Sequence, residues 1–325
     1  MIKSFFACCM ALLFCNISFA KIWRVNNSTG VAADFTTAQA ANDAVTVLAG
    51  DTIHLEPSAT LYGSLVTNKR LTWISTGAFI SIHPGEQANL NPGTVNYLTV
   101  NLGSANSVFS ISSLGDYQIT TNSIRLERCY GASNIYISNA GSNNCVIINC
   151  YIKGSLNLNS GTNQIITNNI FEGQMTTGAT ISATITNNVF NAVSGGSNST
   201  IYNSTLQNNI INKTTIYNYT NCLVEYNMSA STTSLPAGNN NQNTVVMTTV
   251  FNNASGNTDF DFNLKVGSPA IGAGTPATTD MGAYGGTSPF KYAVVPAVPA
   301  IYKILAPSAP SGNTMSVIFS TKSNN

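Results

Sequence analysis

The chain has 325 residues, enough for one or two ordinary domains or one long repeat domain. Hydrophobic residues make up 43% but charged residues only 8%, against a usual charged share of about 25%; Asn, Ser and Thr fill the gap, and such a chain still buries a core, which excludes wholesale disorder. The net charge is +1 with no basic block, which excludes nucleic acid as a partner and gives no basis for attraction to an anionic membrane.

Residues 1–20 read as a secretory signal peptide. Lys3 is the basic region, and Phe5, Phe6, Met10, Leu12, Leu13 and Phe14 form the apolar stretch. Ser18 and Ala20 put small side chains at the two positions a signal peptidase reads, so the mature chain is expected to start at Lys21. A lipoprotein would use Cys15, but Phe14 is bulky where a small residue belongs. No apolar run of about 18 residues follows, so no membrane span is expected once the leader is removed.

Residues 21–90 are expected to form an N-terminal cap and the first coils. Residues 21–25 suit a strand. Asp34 or Thr36 is placed to cap a helix running to about Val47, with Phe35, Ala38, Ala41 and Val45 on one face. Gly50 and Asp51 end it, and residues 52–55 and 71–74 are further strands. A short helix here would cover the open edge of whatever sheet follows.

Self-similarity dominates residues 91–286. Asn149-Cys150-Tyr151-Ile152, Asn168-Asn169-Ile170-Phe171, Asn187-Asn188-Val189-Phe190 and Asn208-Asn209-Ile210-Ile211 are versions of one motif, with fainter copies at Arg128-Cys129-Tyr130 and Tyr226-Asn227-Met228. The equivalent positions 128, 149, 168, 187, 208 and 226 step by 18 to 21 residues, a solenoid period. Ile, Val, Thr, Asn and Gly favour strands and turns, not helices, and leucines are too few for leucine-rich repeats. A coil of about 20 residues holds three short strands and three bends, with rungs about 4.8 Å apart. The expected fold is therefore all-β: a right-handed parallel β-helix. Asn149, Asn168, Asn169, Asn187, Asn188, Asn208 and Asn209 are expected to serve the bends, where Asn tolerates left-handed backbone, and to hydrogen-bond from rung to rung as a ladder.

Cys129 and Cys150 fall in one column on adjacent rungs, at a spacing that suits either a disulfide or a pair of buried thiols. Cys145 and Cys222 share another column four rungs apart. There is no Cys-x-x-Cys pair and only His54 and His83 offer ring nitrogens, so no metal site is expected. Residues 238–243 form a polar loop, and residues 287–325 are proline-rich with two strand-like pieces, 300–305 and 315–320, that suit a hairpin tail.

With these motifs in view, the chain resembles the secreted bacterial right-handed β-helix proteins of the pectate-lyase-like superfamily. The Asn-Asn-Ile-Phe repeats carry the resemblance. So does the segment from Phe262 to Gly286, with Gly267-Ser268-Pro269-Ala270-Ile271-Gly272-Ala273-Gly274 and Asp280-Met281-Gly282-Ala283-Tyr284-Gly285-Gly286, which is similar to a choice-of-anchor closing coil. The entry segment around Ala49-Gly50-Asp51-Thr52-Ile53 is similar to the usual N-terminal cap. The resemblance implies a secreted or outer-surface location and a fold that carries lyases, hydrolases and adhesins alike.

Lyases of this kind use acidic residues to hold calcium together with an Arg or Lys base, and hydrolases need paired acids. Between Asp116 and Asp259 there is no aspartate, and Glu127, Glu172 and Glu225 lie more than one rung apart. Lys153 and Glu172 share a column and read as a cross-strand ion pair. Arg125, Arg128 and Lys153 are the candidate catalytic cations of a lyase; as an alternative they are solvated surface. His54 and His83 read as structural. Asp259, Asp261 and Asp280 read as turn and cap residues. The expected function is a non-catalytic secreted or cell-surface scaffold that binds glycans or another surface component without a cofactor. The alternative is a carbohydrate-active enzyme, a lyase on an acidic polysaccharide, which would require Ca2+.

Overall fold

The computed structural model describes residues 20–83, 85–192, 199–213, 217–310 and 312–324. The expected leader, with Lys3, Cys8, Cys9 and Cys15, lies outside them except for Ala20.

The repeats form a parallel β-solenoid. Each full rung gives one short strand to each of three stacked sheets, of ten, eight and six strands. One such rung is Arg125–Glu127, Tyr130–Gly131 and Ile135–Ile137. Stacking is in register: Leu126 pairs with Phe109 below and Ile147 above, and Ile135 with Tyr117 and Leu156. The strands Ser199–Tyr202 and Tyr217–Thr220 pair with each other beyond the six-stranded sheet, where the Tyr202 N–H donates to Thr177 Oγ1 at 2.8 Å. In the ten-stranded sheet the central residues Ile53, Trp73, Phe109, Leu126, Ile147, Ile166 and Ile185 all point into the core.

The repeated four-residue motif makes the corner between the ten- and eight-stranded sheets, and each of its positions has a separate task. The first residue is left-handed: φ is 53° at Arg128, 55° at Asn149 and Asn168, 53° at Asn187, 58° at Asn208 and 53° at Tyr226. Asn is favoured because its short side chain tolerates this region. The second residue turns inward. The Oδ1 atoms of Asn169, Asn188, Asn209, Asn227 and Asn241 accept backbone N–H groups of the preceding rung at 2.8–3.0 Å. Their Nδ2 atoms donate to the carbonyls of Ile147, Ile166, Ile185, Leu206 and Val224 at 2.8–2.9 Å. The third residue points out and the fourth points in, as strand alternation requires. Ile152, Phe171, Phe190 and Ile211 thereby reach the solenoid core, while Tyr151, Ile170, Val189, Ile210 and Met228 form an outward apolar column.

That outward column is covered. Residues 265–295 run back along the rod, from its last rungs toward its first, and donors of the first motif position hold them in order. Asn208 Nδ2 donates to the Thr275 carbonyl at 2.7 Å, Asn187 to Asp280 at 3.0 Å, Asn168 to Ala283 and Gly285 at 2.9 and 2.7 Å, and Asn149 to Ser288 at 3.2 Å. Arg128 Nη1 donates to the Val295 carbonyl at 3.1 Å, and the Ala78 N–H donates to Ala293 O at 2.8 Å. Phe251, Phe262, Ala270, Met281, Ala283, Phe290 and Val294 pack on the column and bury it, at about 1.5–3 kcal/mol per large side chain. Within the segment the turn at 280–285 requires glycine at 285, where a Cβ would stand 1.9 Å from the Asp280 carbonyl oxygen and 3.0 Å from Asn187 Nδ2 on the rod.

Several expectations need correcting. The seven asparagines do not form one ladder: Asn169, Asn188 and Asn209 do, whereas Asn149, Asn168, Asn187 and Asn208 face outward and hold the returning segment. Residues 262–286 do not close the last coil but form that segment. The loop 238–243 is the ladder's end, where Asn241 bonds the Asn227 N–H at 3.0 Å. The helix is only Ala38–Asp43, capped by Thr37 Oγ1 on the Ala40 N–H at 3.1 Å. Asp34 instead accepts from the Arg24 N–H, Phe35 bridges to Val25, and Val45 is 90% exposed. Lys69 Nζ ends the helix region by donating to the Ala44 and Val47 carbonyls at 3.0 and 2.7 Å. Cys129 and Cys150 stand as free, fully buried thiols at the start of the asparagine column, the Cys129 N–H donating to Cys150 Sγ at 3.4 Å. The tail hairpin pairs Ala300–Leu305 with Ile318–Lys322, the second strand lying further along than expected.

Asn188→Ala is expected to leave the buried Asn169 N–H and the Ile166 carbonyl without their side-chain partner and to cost on the order of 3 kcal/mol, read as a lowered urea midpoint; Asn218→Ala, at an exposed site, should change it within about 0.5 kcal/mol. Val189→Asp places a charge under the returning segment. Trypsin should then cut at Lys265 and Lys291 at least about tenfold faster while the rungs stay intact, a tenfold change being about 1.4 kcal/mol of opening free energy.

Candidate functional site

The three candidate cations stand in three different surroundings. Arg125 lies on the outer face of the ten-stranded sheet, its Nε 2.6 Å from Glu127 Oε2. Arg128 is buried beneath the C-terminal tail, its Nη1 bonded to the Val295 and Asn324 carbonyls. Burial pulls its pKa below the ordinary value against the opposing charge of Glu127. Lys153 is exposed just past the eight-stranded sheet. Its expected partner Glu172 instead accepts a hydrogen bond from the Tyr151 hydroxyl. Arg125 stands near enough for its like charge to add to the downward shift of Arg128.

A second cluster was not legible in the sequence, because its two parts are 176 residues apart. His83 Nε2 lies 2.9 Å from Asp259 Oδ1, and Asp259 is fully buried. The same carboxylate accepts the Ala293 and Phe260 N–H groups at 2.5 and 2.9 Å, and the Tyr284 hydroxyl donates to the Asp259 carbonyl at 2.7 Å. The His83 ring stacks on Tyr292 at 5.1 Å. Every oxygen of Asp259 is thus used in tying the 77–83 loop to the returning segment. Asp261 is likewise consumed: burial pushes its carboxyl up, but hydrogen bonds from the Thr258 hydroxyl and N–H, from Asn253 and from the Asn257 N–H outweigh this and hold it below the ordinary range.

One concavity keeps polar groups free. A groove of about 480 Å3 lies where the returning segment makes its turn, lined by residues that include Thr275, Thr278, Thr279, Asp280 and Thr287, with Asn187 and Asn208 on the rod side. The volume is within the range of ligand sites, about 300–1,000 Å3. The two asparagine amides are spent on the Thr275, Asp280 and Gly282 backbone, so they fix the groove's shape. Asp280 Oδ1 accepts the Gly272 N–H at 2.8 Å. Among the described residues no protein partner is recorded for Asp280 Oδ2 or for the Thr275, Thr278, Thr279 and Thr287 hydroxyls, and no cation lines the groove. Thr278 has φ 74°, a conformation that costs a β-branched residue about 1–3 kcal/mol and persists where its surroundings impose it. Here they do so through the Gly274 N–H to Thr279 O bond at 2.8 Å and the Thr279 N–H to Pro276 O bond at 3.0 Å. In the sequence Asp280 reads as a turn residue, and neither the threonines nor the positive φ at 278 carries a local signal.

Among the described residues no group of three or more His, Cys, Asp or Glu side chains is placed to hold a metal ion, and no helix is long and apolar enough to cross a membrane. Arg128→Gln is expected to weaken the seat of the tail by roughly 1.5–3 kcal/mol, seen as faster amide exchange in Ala300–Leu305, with the rung amides unchanged. No family model, curated protein or solved structure matches this chain.

Proposed function

We propose that this chain is a secreted or outer-surface, non-catalytic scaffold of the right-handed, pectate-lyase-like kind, and that it binds neutral saccharides. The observation that carries the reading is the groove at residues 275–287: four threonine hydroxyls and one carboxylate oxygen free of protein partners among the described residues, on a backbone fixed by Asn187 and Asn208. A neutral sugar offers the matching array of hydroxyl donors and acceptors. An acidic sugar would bring its carboxylate toward Asp280 with no cation to offset it. The pairing of Arg125 with Glu127 and the burial of Arg128 support a binding rather than a cleaving role, and the reading needs no calcium.

The test is titration of the protein with neutral and acidic oligosaccharides, with and without calcium, together with an assay for new chain ends. Neutral sugars should bind, calcium should not matter and no ends should appear. The Thr279→Val/Thr287→Val double variant should bind about tenfold or more weakly, since each lost hydrogen bond is worth about 0.5–1.5 kcal/mol. Release of chain ends would overturn the non-catalytic reading. Binding confined to acidic sugars, or indifferent to the double variant, would overturn the groove.

A further inference from the structure

Asp51 is a carboxylate built to receive a positive charge at the start of the first strand. It is 4% exposed and is surrounded by three donors. The Lys21 main-chain nitrogen donates to Oδ1 at 2.9 Å, and the Trp23 indole Nε1 and the Leu48 N–H donate to Oδ2 at 2.8 and 2.9 Å. Burial pushes the Asp51 carboxyl up, but these bonds outweigh it and hold it below its ordinary range, so it is ionised at neutral pH. Asp51 nevertheless has no ion pair among the described residues. The Lys21 ammonium group is turned away over the Trp23 ring, 3.2 Å from its centroid. The Lys21 ammonium acts on Asp51 through space only, and a buried carboxylate whose hydrogen-bond partners are all neutral is costly, so a counter-charge in contact would relieve it.

We propose that hydrolysis of the Ala20–Lys21 peptide bond supplies that counter-charge and that the new α-ammonium group of Lys21 stays on Asp51 as an ion pair, locking the first strand onto the rod. The inference rests on the export reading. Ser18 and Ala20 present small side chains at the third and first positions before the bond, the pattern a signal-type endopeptidase reads. The chemistry balances with water alone: the amide C–N bond breaks, the hydroxyl joins the Ala20 carbonyl carbon and the proton goes to the Lys21 nitrogen. At neutral pH the amine takes up a further proton, since an α-amino group has a pKa of about 7.7–8.0. The nitrogen that donates to Asp51 before cleavage is the same atom that carries the charge afterwards. The Lys21 carbonyl, which accepts the Thr52 N–H at 2.8 Å, anchors the other side of the residue, so the new terminus is already seated.

The chain is expressed with its own leader in an exporting host, and the exported protein is sequenced from its N-terminus and melted. Lys21 should be the first residue. The form retaining Ala20 should melt about 2–4 °C lower, and Asp51→Asn should abolish that difference between the two forms whatever it does to each. Should Asp51→Asn not fold, acetylation of the mature amine in the unaltered protein gives the same reading and should lower the melting temperature to that of the Ala20 form. A first residue other than Lys21 would overturn the processing site and with it this part of the export reading. Lys21 as first residue with equal melting of all forms would overturn the lock alone.

Discussion

A solenoid wound from short strands must bend three times per rung, and each bend turns backbone amides and carbonyls into a dry interior where they still have to be hydrogen-bonded. The inward asparagines at 169, 188, 209, 227 and 241 answer that requirement. Asn169 shows the pattern: its oxygen accepts the Cys150 N–H of the rung before it, and its amide nitrogen donates both to the Ile147 carbonyl of that rung and to Asn188 Oδ1 of the rung after it. The interior is therefore apolar along the sheets and amide-lined at one corner. The low charge of the chain follows from the same geometry, because identical positions recur every 4.8 Å or so and like charges stacked there would repel.

The repeat period, the strand content, the hairpin tail and the membership of Cys129 and Cys150 in one column were legible in the sequence, because each rests on short-range periodicity. The division of labour within Asn-Asn-Ile-Phe was only half legible. Two adjacent asparagines look alike in a sequence, but a left-handed residue between two strands sends them to opposite faces. The third position of the motif showed the missing information indirectly: Ile170, Val189 and Ile210 are apolar although strand alternation points them away from the core. An outward apolar column needs a cover, and the segment that supplies it is held by bonds such as Asn149 to Ser288, 139 residues apart in the chain.

The candidate site was hidden for a related reason. The pairing of His83 with Asp259, and the placement of Thr278 and Asp280 against Asn187 and Asn208, join segments remote in sequence. No local pattern encodes such contacts. Arg125, Arg128 and Lys153 are conspicuous because charge is scarce here, yet Arg128 does its work as a substitute for asparagine at the left-handed position, reaching further to the tail.

The returning segment also changes what kind of object the rod is. A simple solenoid is a one-dimensional stack in which each rung feels only its neighbours, so either end can fray while the other stays whole. Residues 265–295 touch the corner at Asn208 and, some twenty residues later, the loop at Ala78. That bond between distant rungs turns an open stack into a closed circuit, in which loosening one terminus strains the other. The circuit is completed only by residues that follow every rung they cover, so the rod is a fully tethered body only after residues 265–295 have joined the rungs.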